Sequence, residues 1–143
     1  MTEKELFLRN LREAGEQAAF NPSKVLLMVL EEKSDEHPWF YDLIEDKIYA
    51  SDSIKRIWGQ PVDTPPLSRE EFVSQLTTVE DQSLIERMVY RCISEKKRVE
   101  FIFTGLRQDS GEEIRVLSKF NPLLNGEGSV IAIYGTDRLI EVL

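Results

Sequence analysis

The first part of the chain has an apolar spacing that predicts helices. Apolar residues recur at intervals of four, three and four from Phe7 to Ala18, which is typical of one helix face. Pro22 should end this helix and allow a second over 24–33, although so short an apolar run is also compatible with a strand. We expect residues 1–36 to form a helical arm that covers a sheet or mediates dimerisation. Its candidate dimer-interface residues are Phe7, Leu11, Ala14, Ala18, Val25 and Val29.

The middle of the chain changes from a strand pattern to a helix pattern. Aromatic and β-branched residues over 39–44 and 48–50 flank a polar turn, which predicts a β-hairpin. A short helix should follow and end at Gly59, and a capping-box pattern at Ser68 predicts the start of a second helix. Apolar residues spaced by four over 84–93 predict the third and longest helix.

The last part of the chain predicts three strands, over 99–107, 113–123 and 129–136, joined by glycine-containing turns. Both faces of these strands carry apolar residues, so we expect each face of the sheet to be covered. The predicted fold class is therefore α+β, a five-stranded antiparallel sheet with the element order ββ-ααα-βββ. Helices should lie on one face and the N-terminal arm or a partner chain on the other.

Charge and composition narrow the possible partners and the compartment. The net charge of -8, from 18 Lys+Arg and 26 Asp+Glu, would repel phosphate backbones, so we expect no nucleic-acid partner. The single cysteine, Cys92, excludes a disulfide within the chain and fits a reducing compartment. The apolar run over 25–30 is too short to span a bilayer, and the N-terminus lacks a signal-peptide pattern. We therefore predict a cytoplasmic segment without membrane contact.

Several short motifs follow one another between residues 39 and 138 in an order typical of one family of domains. They are W-F-Y-D at 39–42, an S-D start and a glycine end at 51–59, an acidic helix start at 77–81, E-F at 100–101 and a D-S-G turn at 109–111. In this order they resemble the PAS domains of bacterial signalling proteins.

The resemblance implies a sensory module that dimerises and relays a signal. Residues 37–138 would form the PAS domain, and 139–143 would begin a helical linker to an output domain in cis beyond Leu143. The output would be a histidine kinase of a two-component system or a cyclic-dinucleotide enzyme. Asp137 occupies the place of the family's exit motif and is the candidate residue for signal exit.

Large side chains from the predicted helices and strands should meet between the two layers. They either form a solid core or line a small cavity for an apolar or weakly polar ligand. The candidate pocket residues are Trp58, Met88, Phe101, Phe103 and Phe120.

Cofactors and metals are not expected. Haem is disfavoured because haem-binding relatives supply a histidine from the long helix, whereas the one histidine here is His37. Flavin is disfavoured because the N-C-R-F-L motif of light-sensing relatives is missing, and Cys92 lies on the apolar stripe of the long helix. A lone histidine also offers no ligand cluster for a metal.

Two other functions stay open, and we expect no catalytic residues. One is a ligand-free docking or dimerisation domain with a filled core. The other is a small α+β enzyme with an acid–base cavity, for which Tyr41, Tyr90 and Tyr134 are the candidates and a buried carboxylate in a cavity would be the supporting sign.

Overall fold

The computed structural model describes residues 36–143. The predicted arm, with Phe7, Leu11, Ala14, Ala18, Val25 and Val29, lies outside the described residues, except for Glu36. Within the described part, the element order matches the predicted ββ-ααα-βββ. The elements are β1 (His37–Asp42), β2 (Lys47–Ala50), α1 (Asp52–Ile57), α2 (Arg69–Leu76), α3 (Val79–Glu95), β3 (Val99–Leu106), β4 (Glu113–Leu124) and β5 (Val130–Val142).

The five strands form one antiparallel sheet in the order β2-β1-β5-β4-β3, which confirms the predicted α+β fold class. The last strand, β5, lies at the centre, between β1 and β4. Trp39 of β1 and Phe120 of β4 both lie opposite Gly135 of β5, so the side chains of Trp39 and Phe120 point to the same face of the sheet. We call this the inner face, because its side chains pack against the helices.

Side-chain caps fix where the first two helices begin. The hydroxyl of Ser51 accepts from the backbone N–H of Ile54 at 3.4 Å and begins α1. Ser68 and Glu71 form a capping box before α2, with reciprocal hydrogen bonds of 3.0 and 3.1 Å. The predicted capping pattern at Ser68 is therefore confirmed.

The inner face and the helices enclose the hydrophobic core. From the sheet it takes Trp39, Phe103 and Ile133, and from α3 it takes Ile85 and Val89, which lie one turn apart. The side chain of Trp58, at the end of α1, is 2% exposed and fills the space between the helices and β3. These contacts position the site described below.

The opposite face of the sheet, the outer face, also carries buried side chains. Phe40 and Ala132 alternate with the inward residues Trp39 and Ile133, and both are fully buried. Leu123, which lies opposite Ala132, is buried as well. Both faces of the sheet therefore carry buried apolar side chains in this region, as expected, and the segment that covers the outer face stays a prediction.

The predicted start of a connecting helix at 139–143 is wrong. β5 continues to Val142, with Leu139 opposite Val116 and Val142 opposite Ile114 of the long strand β4. This pairing gives the backbone its hydrogen bonds without a helix. A bulge in β4 between Arg115 and Val116 accommodates the register change.

Two further features concern the described residues as a whole. None of the helices between residues 36 and 143 is long and apolar enough to cross a membrane. The same part of the chain contains no cluster of three histidine, cysteine or acidic side chains able to hold a metal ion.

Candidate ligand-binding site

A cavity of about 140 Å³ lies between the inner face and the helices, and every helix and strand contributes to its wall. The wall is largely aromatic on the sheet side, and Ile85 and Val89 of α3 close the helix side. The aromatic side chains that line the cavity are Trp39, Tyr41, Tyr49, Trp58, Phe72, Phe101, Phe103 and Phe120.

The aromatic rings of the wall hold one another in place. Trp58 stacks on Phe103 with ring centroids 5.8 Å apart, and Trp39 meets Phe120 edge to face at 5.1 Å. Phe101 meets Phe120 edge to face at 5.0 Å. Because each ring packs against a neighbour in a favoured geometry, the wall is formed before any ligand arrives.

Four of the five predicted pocket residues, Trp58, Phe101, Phe103 and Phe120, lie together on this wall. Met88 does not, although it packs against the core from a half-buried position. The stripe of α3 that faces the cavity passes through residues 85 and 89, which leaves Met88 on its flank. The arrangement makes a ligand role for the four residues possible, and that role stays a prediction.

A single buried carboxylate, Asp137 of β5, lies on the inner wall. Its side chain points to the same face as Ser118 of β4, directly opposite, and Trp39 of β1 lies on the other side. The Oδ1 atom of Asp137 accepts from Trp39 Nε1 at 3.0 Å and from Ser118 Oγ at 2.6 Å. The Trp58 side chain also donates to this carboxylate. Asp137 is only 4% exposed, so these neutral donors replace water around it.

Burial raises the pKa of Asp137 to about 6, and the hydrogen bonds from Ser118, Trp39 and Trp58 oppose that rise. No cationic side chain contributes to the balance. The sequence predicted this residue as a signal exit, a role that stays a prediction. Sequence reasoning missed its inward position, although Asp137 keeps the same alternation as Ile133 and Gly135 along β5.

The outer end of the cavity is polar and positively charged. Lys55 and Arg69 line it, together with the loop that carries Pro65 and Pro66. Lys55 Nζ donates to the carbonyl oxygen of Val62 at 2.9 Å, which ties α1 to this loop. The cavity therefore has a cationic mouth, an aromatic wall and an acidic inner end.

The candidate acid–base tyrosines are not gathered in one site. Tyr41 lines the cavity, where burial and the hydrogen bond that its hydroxyl donates to Asp46 raise its pKa. Tyr90 is 71% exposed on α3, and Tyr134 lies on the outer face. Cys92 is buried in the core away from the cavity wall, and burial raises the pKa of its thiol to about 11.

Comparison with known proteins identifies the fold. No protein-family model matches the chain, and a search of the curated proteins finds no match. Solved structures do match. The N-terminal domain of a diguanylate cyclase with a PAS/PAC sensor from Marinobacter aquaeolei is 19% identical with a TM-score of 0.65, covering 73% of this chain and 94% of that one. A sensory box histidine kinase/response regulator from Burkholderia thailandensis is 14% identical with a TM-score of 0.62, covering 75% and 78%.

A light-oxygen-voltage domain, studied with a flavin analogue, is 20% identical with a TM-score of 0.61 and covers 76% of this chain and 79% of that one. Similarity at these identities shows the fold. The chain has a PAS fold, as the resemblance in its sequence predicted.

The cavity in this structure is small beside a flavin or a haem. A cavity of comparable size holds about one benzene ring, whereas a flavin has three fused rings and haem is larger still. Neither Cys92 nor His37 lies on the wall, so the wall offers no thiol and no imidazole to such a group. Any ligand of this cavity, in the shape described here, is smaller.

Proposed function

We propose that this chain is a sensory module in which the inner cavity binds a small ligand and β5 relays its presence to a neighbouring domain. The observation that supports this proposal best is the preformed aromatic cavity with Asp137 on its wall. A filled core would leave no such space, and one polar group among apolar and aromatic side chains is typical of ligand-binding cavities.

The position of Asp137 supports the relay. Its three donors come from β1, β4 and the end of α1, so a ligand that displaces or reorients the carboxylate disturbs three elements around the central strand. Residues 138–142 continue the same strand. A relay requires two arrangements that the ligand distinguishes energetically, and the exchange of hydrogen bonds at Asp137 supplies a candidate pair.

The second part of the proposal concerns the N-terminal segment. Residues 1–35 would cover the outer face and carry the dimer contact through Phe7 and Leu11. Buried Phe40 and Ala132 on that face support a cover, as does the ion pair between Lys119 on the outer face and Glu36, the residue before β1. Light scattering on the full chain and on a Phe7→Asp/Leu11→Asp variant tests it. A wild-type dimer that becomes monomeric supports the contact, and a monomeric wild type contradicts it.

The output remains the one that the sequence suggested, a histidine kinase or a cyclic-dinucleotide enzyme in cis, acting in the cytoplasm. The PAS-fold relatives that come from a diguanylate cyclase and a sensory histidine kinase support this choice.

A ligand screen with a cavity-filling variant tests the central claim. Ala50 lines the cavity, and Ala50→Leu should occupy much of its volume, whereas Ile102→Ala alters an exposed residue of the outer face. Compounds of about one ring should perturb the indole N–H signals of Trp39 and Trp58 in NMR spectra of the wild type and of Ile102→Ala, but not of Ala50→Leu. Binding that survives Ala50→Leu unchanged would place the ligand elsewhere, and a wild type that binds nothing would favour the docking module.

An acid–base enzyme is the second candidate, because Asp137 is the buried carboxylate that such an enzyme requires. The wall supplies no histidine, cysteine or second carboxylate to work with it. Following a bound compound over time by NMR separates the two functions, since a sensor returns the compound unchanged and an enzyme does not.

A further inference from the structure

The chemistry of the cavity also indicates which kind of ligand it takes, and this step rests on the proposed ligand-binding function. The donors around Asp137 are two indole N–H groups and one hydroxyl, all of them neutral. A buried carboxylate without a cation is costly, and its electrostatic attraction for a positive charge is strong because little water screens it. The inner end is therefore the part of the cavity best suited to a cation.

The aromatic wall adds a second, independent reason. The faces of Trp, Tyr and Phe rings attract cations, and cages of such rings are how proteins bind ammonium groups without compensating every charge. Trp39 and Trp58 both contact the cavity and both reach Asp137, with Phe101, Phe103 and Phe120 beside them. A carboxylate and several aromatic rings on the wall of one cavity favour an organic cation over an anion or a metal ion.

The volume limits the size of that cation. A cavity of about 140 Å³ admits roughly one six-membered ring. Lys55 and Arg69 lie at the mouth, where solvent screens their charge, and Arg69 is paired with Glu86 at 3.3 Å. Tyr41 and Tyr49 are the other titratable groups of the wall, and neither carries a positive charge. The charge pattern thus directs a positive group inward and a polar or negative group outward.

We propose that the cavity binds a small organic cation, an ammonium group on a skeleton of about one ring, with the ammonium against Asp137 and the rest of the ligand among the aromatic rings of the wall. The ligand supplies the counter-ion that the carboxylate lacks, and the aromatic wall supplies the contact area.

Three ring compounds of nearly equal size test the charge preference: benzylammonium, benzyl alcohol and benzoate. Their binding to the full chain is measured by calorimetry and by NMR, at a pH above that at which Asp137 becomes protonated. The chain has two tryptophans, so both indole N–H signals report on this site. We expect benzylammonium to bind roughly 10-fold or more tightly than benzyl alcohol, because a hydrogen bond to a charged group is worth more than a neutral one. Benzoate should bind most weakly.

The variant Asp137→Asn keeps the shape of the side chain and removes its charge, so the preference for benzylammonium should disappear. The matched control is Asp42→Asn, a buried aspartate whose Oδ1 accepts from the backbone N–H groups of Ile44 and Glu45 on the other side of β1. It should keep the wild-type preference. If Asp137→Asn does not fold, the comparison of the three compounds on the wild type decides alone.

The outcomes separate the two proposals. Equal binding of benzylammonium and benzyl alcohol to the wild type overturns the cation inference and leaves the ligand cavity intact. An unchanged preference in a folded Asp137→Asn variant overturns it as well. A wild type that binds none of these compounds but binds others of similar size refutes the inference alone, whereas a wild type that binds nothing refutes both.

Discussion

Replacing Asp137 with asparagine should change how the stability of the domain depends on pH. The pKa of Asp137 is raised from 3.8 to about 6 in the folded protein, chiefly because the carboxylate is desolvated. Since one pKa unit is worth about 1.4 kcal/mol, the rise corresponds to about 3 kcal/mol of destabilisation when Asp137 is ionised. Asparagine can accept the same hydrogen bonds from Trp39 and Ser118 without becoming charged.

The sign follows from proton linkage. The folded state holds the Asp137 proton more tightly than the unfolded state does, so the stabilising contribution is complete below pH 3.8 and is lost as the pH rises through about 6. Relative to Asp137→Asn, the wild type should therefore lose roughly 2–3 kcal/mol between about pH 4 and pH 7. Asp109, whose pKa is lowered by its hydrogen bond from Arg107, contributes with the opposite sign in both proteins and cancels in the difference.

Urea unfolding followed by tryptophan fluorescence measures the free energy of unfolding of both proteins at a series of pH values. The decisive quantity is the difference in the free energy of unfolding between the wild type and Asp137→Asn at each pH. A difference that stays constant from about pH 4 to pH 7 would show that Asp137 is solvated in the folded protein, and the account of the inner wall would then be wrong.

Three further predictions test the packing and the caps. Gly135→Ala should unfold the domain or cost several kcal/mol, because its Cβ would overlap the carbonyl oxygen of Lys119, whereas Gly126→Ala has open space and should unfold near the wild-type urea midpoint. Ser68→Ala should lower the free energy of unfolding by about 1 kcal/mol through loss of the capping box, and an unchanged midpoint would contradict it. Phe40→Ala should cost roughly 3–5 kcal/mol by leaving a cavity at the outer face, and a loss below about 1 kcal/mol would show that this face is not packed.

The order of the helices and strands could be predicted because local sequence patterns determine it. The aromatic and β-branched residues over 39–44, the capping box at Ser68 and the spacing over 84–93 each act within a few residues of the chain. The helix expected at 139–143 came from the family resemblance, because the partners that make this segment a strand lie far away in sequence and leave no local pattern. Only the pairing with Ile114 and Val116 makes these residues a strand.

The candidate site could be predicted only in part. Size and aromatic character were enough to select Trp58, Phe101, Phe103 and Phe120, since large apolar side chains of the inner face must meet the helices. The register between β4 and β5 places Ser118 opposite Asp137, and no local pattern encodes that register. The acidic end of the cavity could therefore not be found from the sequence.

The central position of β5 constrains how the domain acquires its structure during synthesis. The hairpin of β1 and β2 and the pair of β3 and β4 have no hydrogen bonds to each other and are joined only through β5. On the ribosome, both pairs of strands keep an open edge until β5 emerges and inserts between them. A nascent domain of this kind is exposed to aggregation until β5 (Val130–Val142) has been translated.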